Sequence, residues 1–198
     1  MFQVKCPAAF LRAAWLFVKK DDAGGSTLNP AYAHVILDRT LVATDGHTMI
    51  IFNPEKVQIS GDDARPCLLP LSLLEALGDL KGDVTLYIDP AAGKGMVHTG
   101  YTFDLAHGRV VDWRRVYPAE LSGEHAQYNL AYLDRCVRAN RELGHADDTD
   151  YHAGAALEIK PNGNNGPGIV VLRDGDAHVI VQYMYTRNQS QPFNRYNL

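Results

Sequence analysis

The amino-acid sequence predicts an α+β fold of about three repeated β-α-β-β-β half-domain units, with the helices on one face of the sheets. One order of segments, a short strand, a helix and then several β-rich runs, recurs about every 60 residues. Within each recurrence the apolar period changes from helical to strand-like. The composition is globular: of 198 residues, 46% are apolar and 21% charged, which excludes a disordered, collagen-like or coiled-coil chain.

The first unit opens on the strand-like run Phe2-Gln3-Val4-Lys5-Cys6. Pro7 suits a helix start, and Phe10, Leu11, Ala14, Trp15 and Val18 place one apolar stripe on a helix over 8–20. After a loop over 21–26, β-rich runs follow at 33–37, 40–52 and 56–60. The second unit begins at Cys67-Leu68-Leu69-Pro70, continues in a helix over 72–80 that stops at Lys81-Gly82-Asp83, and has strands over 84–88, 95–98 and 101–105. The third begins at Ala126-Gln127-Tyr128-Asn129 with a helix over 130–143, stopped by Gly144. A polar insertion over 145–154 precedes strands over 156–160, 169–173 and 177–185, the first two joined by a Gly- and Asn-rich hairpin over 162–168. Pro7 and Pro70 are 63 positions apart, and Pro70 and Asn129 are 59 apart.

The expected organisation is a two-unit domain over 1–122 (units about 1–60 and 61–122), a third half-unit over 123–185, and a flexible C-terminal tail over 186–198. One such unit cannot cover both faces of its helix, so units should pair with their sheets joined. Three units leave one half unpaired, and its exposed sheet edge predicts self-association. Nineteen Lys and Arg against 23 Asp and Glu give a net charge of −4, which argues against indiscriminate DNA coating but leaves room for a local basic surface. Cysteines at 6, 67 and 136 suit a reducing compartment, with no disulfide framework and no zinc site. The apolar stretch over 8–18 is interrupted by Arg12 and too short to span a bilayer, and no cleavage site follows it, so the expected location is cytoplasmic with no membrane partner.

Two motifs carry a resemblance. Leu41-Val42-Ala43-Thr44-Asp45-Gly46-His47 and Gly108-Arg109-Val110-Val111-Asp112-Trp113-Arg114-Arg115-Val116-Tyr117-Pro118 stand in order with a Leu-rich helix between them. Together they resemble the bacterial beta sliding clamp, the processivity subunit of the replicative DNA polymerase. The resemblance covers 26–118 well and continues more weakly over 126–185. It implies a hydrophobic groove for short peptides of polymerases and other partners, placed here at Leu28, Thr44, Gly46, His47, Met49, Val111, Arg115, Val116, Val179, Val181 and Tyr183. Leu, Met and Val supply apolar wall, Gly46 admits a peptide backbone, and a few polar groups orient it. Departures from the family pattern bear on peptide preference: Thr48 replaces the usual Arg, Val111 the usual Pro, and Gln182-Tyr183-Met184-Tyr185 the terminal Pro-Met-Arg-Leu. The bacterial clamp has six half-domain units per chain, so a twelve-unit ring would take four copies of this chain, and the economy suggests a phage or mobile-element version.

A clamp holds duplex DNA without reading its sequence, through cations facing the phosphates. The expected DNA-facing residues are Arg12, Lys19, Lys20 and Lys81, with Arg135, Arg138 and Arg141 within about a 120° arc of the third helix. No catalytic set, metal site or cofactor is expected. Asp45 and His47 lack a nucleophile at fixed spacing, Gly93-Lys94-Gly95 lacks the phosphate-loop pattern, and the acidic, His-bearing stretch 145–152 has no recognised ligand spacing. The expected function is therefore a self-assembling, non-enzymatic processivity factor that tethers a DNA polymerase or other partner, with a clamp loader to open the ring. The competing expectation is a mimic that never encircles DNA, captures clamp-binding peptides, or interferes with host replication or defence.

Overall fold

The structure, a computed structural model, describes residues 1–19, 30–61, 64–78, 80–144, 157–164, 166–182 and 184. Its elements in chain order are β1 (Phe2–Pro7), α1 (Ala8–Ala14), β2 (Val35–Leu37), β3 (Leu41–Thr44), β4 (Thr48–Phe52) and β5 (Gln58–Ser60), then β6 (Cys67–Leu69), α2 (Ser72–Leu77), β7 (Asp83–Asp89), β8 (Lys94–Val97) and β9 (Thr102–Asp104), and finally α3 (Leu130–Leu143), β10 (Glu158–Lys160), β11 (Gly168–Leu172) and β12 (Ala177–Val181). The helix-then-strands order expected from the repeat is present and α3 spans the predicted residues, but the first unit has four strands after its helix and the third unit's opening segment, 126–129, forms no strand of its own. Asn129 caps it by accepting a hydrogen bond from the Ala131 amide at 2.9 Å.

Among the described residues the strands form two antiparallel sheets. One has the order β5-β1-β7-β8-β9, the other β10-β11-β12-β4-β3-β2-β6. The first two units lend each other their opening strands: β1 pairs with β7 around Val4 opposite Leu86, and β6 pairs with β2 around Leu68 opposite Ile36. The third unit joins the first, with β12 beside β4 and Val179 opposite Ile50.

The helices share one face of this assembly, and a continuous core lies between them and the sheets. It runs from Phe10, Leu11 and Phe17 through Leu37, Phe52, Leu73 and Leu86 to Cys136, Leu172 and Val179. Phe10 stacks on Phe52 at 4.6 Å. Arg12 ties all three helical regions together, donating to Glu142 of α3 at 3.0 Å and to the Leu80 carbonyl at 2.8 Å. A second, smaller cluster covers the opposite face of the seven-stranded sheet, where Ile36, Val42, Met49, Ile51, Ile169 and Ile180 lie under Val110, Val111, Trp113 and Leu121. The connection after β9 therefore runs across the outer face. This double covering explains why every residue of β4 is buried, as in a strand sealed on both sides.

Three expectations are corrected. The helix over 8–20 ends at Ala14, because the chain turns there to bury Phe17 completely. The helix over 72–80 ends at Leu77, where Gly78 with φ +46° takes the capping position. The run over 40–52 is a hairpin of β3 and β4, turned at Asp45 and Gly46. All three cysteines are free and buried, and burial pushes each thiol pKa up to about 12. No described helix is long and apolar enough to cross a membrane.

Candidate functional site

Two side chains build the β3–β4 turn: Thr44 Oγ1 accepts from the Gly46 amide at 3.0 Å and donates to the Thr48 carbonyl at 2.8 Å, and Asp45 supplies the rest. Asp45 Oδ1 accepts from the His47 amide at 2.9 Å and the Thr48 amide at 2.8 Å, while its Oδ2 accepts from Arg135 of α3 at 2.5 Å. Arg135 also donates to the Thr48 hydroxyl at 2.7 Å. Burial works against ionising Asp45, but the hydrogen bonds from Arg135, Thr48 and His47 prevail and hold its carboxyl below the usual range. Gly46, at φ +92°, completes the turn in a conformation that glycine adopts without strain. His47 is thereby held at the surface, its ring stacked on Tyr132 at 6.2 Å and its Nδ1 3.1 Å from Gln182 Oε1.

Beside this turn lies a groove of about 660 Å³. Its floor is the outer face of the sheet, with Thr44, Met49, Ile180 and Gln182. One wall comes from the covering connection, where Val111 and then Arg115, Val116, Tyr117, Pro118 and Ala119 line it; Tyr32, Gly166 and Pro167 close the ends. A short 3-10 helix, Trp113–Val116, shapes that wall. It is pinned from behind, because Asp38 accepts from Trp113 Nε1 at 3.2 Å and from Arg114 Nη1 at 2.5 Å. Val116, an apolar group, is thus left 49% exposed at the lip. Tyr117 borders a second recess, about 540 Å³, with Ile51, Trp113 and His178, and its hydroxyl lies 3.1 Å from His178 Nδ1. Burial, followed by the charge of Lys160, lowers the His178 pKa.

Of the residues expected in the groove, Thr44, Gly46, His47, Met49, Val111, Arg115 and Val116 come together there. Val179 and Val181 do not: both are completely buried on the helix side of β12. Ile180 and Gln182 occupy the groove instead, a shift of one residue that reverses the strand's faces. Leu28 and Tyr183 lie outside the described residues. Sequence reasoning missed Tyr117, Gly166 and Pro167; the Tyr117-Pro118 end of the second motif was a usable signal, since the wall continues through it.

The expected DNA-facing cations divide into two sets. Arg12 is bound to Glu142, and Arg135 is turned to Asp45 at the groove turn, with its side chain 24% exposed. Arg138, Arg141 and Lys81 are exposed, Lys19 is half-buried, and Lys20 lies outside the described residues. In the Gly93-Lys94-Gly95 segment, Gly93 ends the β7–β8 turn and Lys94 and Gly95 begin β8; Asp89 shapes the turn by accepting from the Ala91 and Ala92 amides. Among the described residues no three His, Cys, Asp or Glu side chains cluster as metal ligands. The stretch 145–152 lies outside them.

No protein-family pattern and no curated protein matches this sequence. Solved structures do match in shape. The DNA polymerase III subunit beta from Pseudomonas aeruginosa superposes with a TM-score of 0.61 at 17% identity, covering 93% of this chain and 66% of its own. The Bacillus subtilis DNA polymerase sliding clamp gives 0.61 at 12%, covering 93% and 64%. A Helicobacter pylori beta clamp bound to a DNA ligase peptide gives 0.60 at 10%, covering 92% and 66%. This chain therefore has the sliding-clamp fold and spans about two thirds of the length of these clamps.

Proposed function

We propose that this protein is a non-catalytic, sliding-clamp-like processivity factor that binds short partner peptides in the groove beside Asp45 and self-assembles around duplex DNA. The observation that carries the reading is the groove itself, an apolar cleft with an exposed lip residue, Val116, in a clamp-type fold. Its floor of Met49 and Ile180 suits apolar side chains, and His47, Arg115 and Gln182 offer polar groups to orient a peptide backbone. The Helicobacter pylori clamp of like fold was solved with a DNA ligase peptide, which supports a short peptide of a DNA polymerase or other partner as the occupant. Four copies would complete a twelve-unit ring, opened by a loader, and a phage or mobile-element origin would account for the short chain. The domain division proposed from the repeat, 1–122 and 123–185, is the economy on which that count rests.

A second reading is a non-encircling protein that captures clamp-binding peptides. It is favoured by the ion pairing of Arg12 and Arg135, which withdraws two of the expected cations from DNA. The groove is tested by fluorescence anisotropy with a labelled Gln-Leu-x-Leu-Phe type peptide. Val116→Asp should weaken binding at least tenfold, or about 1.4 kcal/mol, because the exposed position tolerates a charge but the lip then repels apolar side chains. Unchanged affinity removes the groove assignment. Sedimentation of the native chain separates the two readings: a tetramer supports the ring, and a monomer supports peptide capture alone.

A further inference from the structure

One rule of strand pairing recurs in the three units. In the first, β1 has β5 of its own unit on one side and β7 of the second unit on the other. In the second, Leu68 of β6 bridges Ala106 of its own unit, while β2 of the first unit lies alongside. In the third, the Gln127 carbonyl accepts from the Met184 amide at 2.7 Å, which repeats the pairing with the unit's own later chain. Among the described residues the second pairing has no counterpart. Among the described residues, β10 has β11 as its one strand neighbour and forms the end of its sheet.

The consequence shows on the core face. Val35 and Leu37 on β2, and Val84 and Leu86 on β7, are at most 1% exposed beneath the lent strands. On β10, Ile159 stands opposite the buried core residue Val170 and so shares its face. It is 41% exposed.

We infer that a second copy of this chain completes the third unit, the segment 126–128 of each copy adding as a strand along β10 of the other in a two-fold interface. The inference rests on the self-assembly proposed above and names its site. The two-fold relation already exists within the chain, where the first and second units exchange opening strands. Sheet continuity points the same way. The seven-stranded sheet ends at one side in β6, a lent strand, and at the other in β10; a lent strand there makes both ends alike. The edge opposes no second copy electrostatically, because Lys160 pairs with Glu158 at 3.4 Å and their charges cancel. The interface is isologous, each copy giving and receiving the same segment, and it buries the open backbone edge as well as Ile159.

The test uses the full chain. Sedimentation over a wide concentration range should give an even-numbered oligomer for the native protein, and Ile159→Glu should raise its dissociation constant at least about tenfold while leaving groove-peptide affinity unchanged. A benzophenone side chain at the exposed Gln127, irradiated in a mixture of 15N-labelled and unlabelled copies, should link to residues 157–161 of the other isotope. If Ile159→Glu fails to fold, the crosslink decides alone. An oligomer whose mass Ile159→Glu leaves unchanged overturns the inference, as does a crosslink confined to one copy, for example to its own tail over 186–198, or one leading to β5 or β9. A native protein that stays monomeric at every concentration overturns this interface and the ring together, whereas peptide binding in the groove stands or falls on its own anisotropy measurement.

Discussion

The first two units and the third share the succession of a helix and then antiparallel strands, yet they are closed differently. Units one and two seal each other through exchanged strands, and the residues beneath, Val4, Leu37, Val84 and Leu86, are at most 1% exposed. Among the described residues the third is sealed on one flank, by β12 against β4 and by α3 against α1. On the flank at β10 Ile159 is exposed. The difference teaches that a repeat's stability lies in what its neighbour covers, since each unit has one apolar face to bury and no means of burying it alone.

The largest expected effect lies where closure is complete. Leu86→Ala should cost roughly 2–5 kcal/mol, and Ile159→Ala in the isolated chain no more than about 0.5 kcal/mol; urea midpoints measure both. Equal costs would break the distinction between the sealed and the open flank. The next effect concerns the seam between the first and third units. Asp45→Asn should cost about 1–3 kcal/mol, because it leaves Arg135 half-buried beside a neutral group. The folded carboxyl is held below the usual range, so its contribution is present at neutral pH and is lost as pH falls below about 4 toward the folded value. The gap between Asp45→Asn and the native chain should therefore close in acid, and a pH-independent gap would remove the ion pair from the account of that seam.

The smallest effect separates the helices. On α1 the one cation, Arg12, is consumed by Glu142 and the Leu80 carbonyl, whereas on α3 Arg138 and Arg141 are exposed. Replacing both with Glu should weaken duplex DNA binding and flatten its salt dependence by about one in slope for each phosphate left without its cation. Groove-peptide affinity should stay unchanged. DNA retention equal to that of the native chain would count against DNA on the helix face and favour peptide capture.

Much of the groove was legible because its turn is written locally. Thr44, Asp45, Gly46 and His47 carry their own hydrogen-bond logic within five residues, and Arg115 and Val116 follow from the second motif. The face of β12 was not legible. Ala177, Val179 and Val181 alternate with His178, Ile180 and Gln182, and with apolar residues on both faces the period of two cannot say which side meets the helices. That ambiguity exists because the connection after β9 covers the outer face, a long-range event that the strand itself does not encode. Arg135 was misleading for a related reason: its helical spacing with Arg138 and Arg141 is real, but the nearby Asp45 carboxylate, 90 positions earlier, decides where its guanidinium goes.

The sequence by itself determined the α+β class, the order of three units, the limits of α3, and the two segments that meet at the groove, because each depends on period, capping or turn chemistry within a short stretch. Only the tertiary structure decided how those units close on one another: that β12 joins β4, that Ile180 and not Val179 floors the groove, that Arg135 guards its turn, and that β10 ends its sheet among the described residues. Pairing between distant strands depends on which apolar faces remain uncovered once every other segment has packed, and no local pattern specifies that.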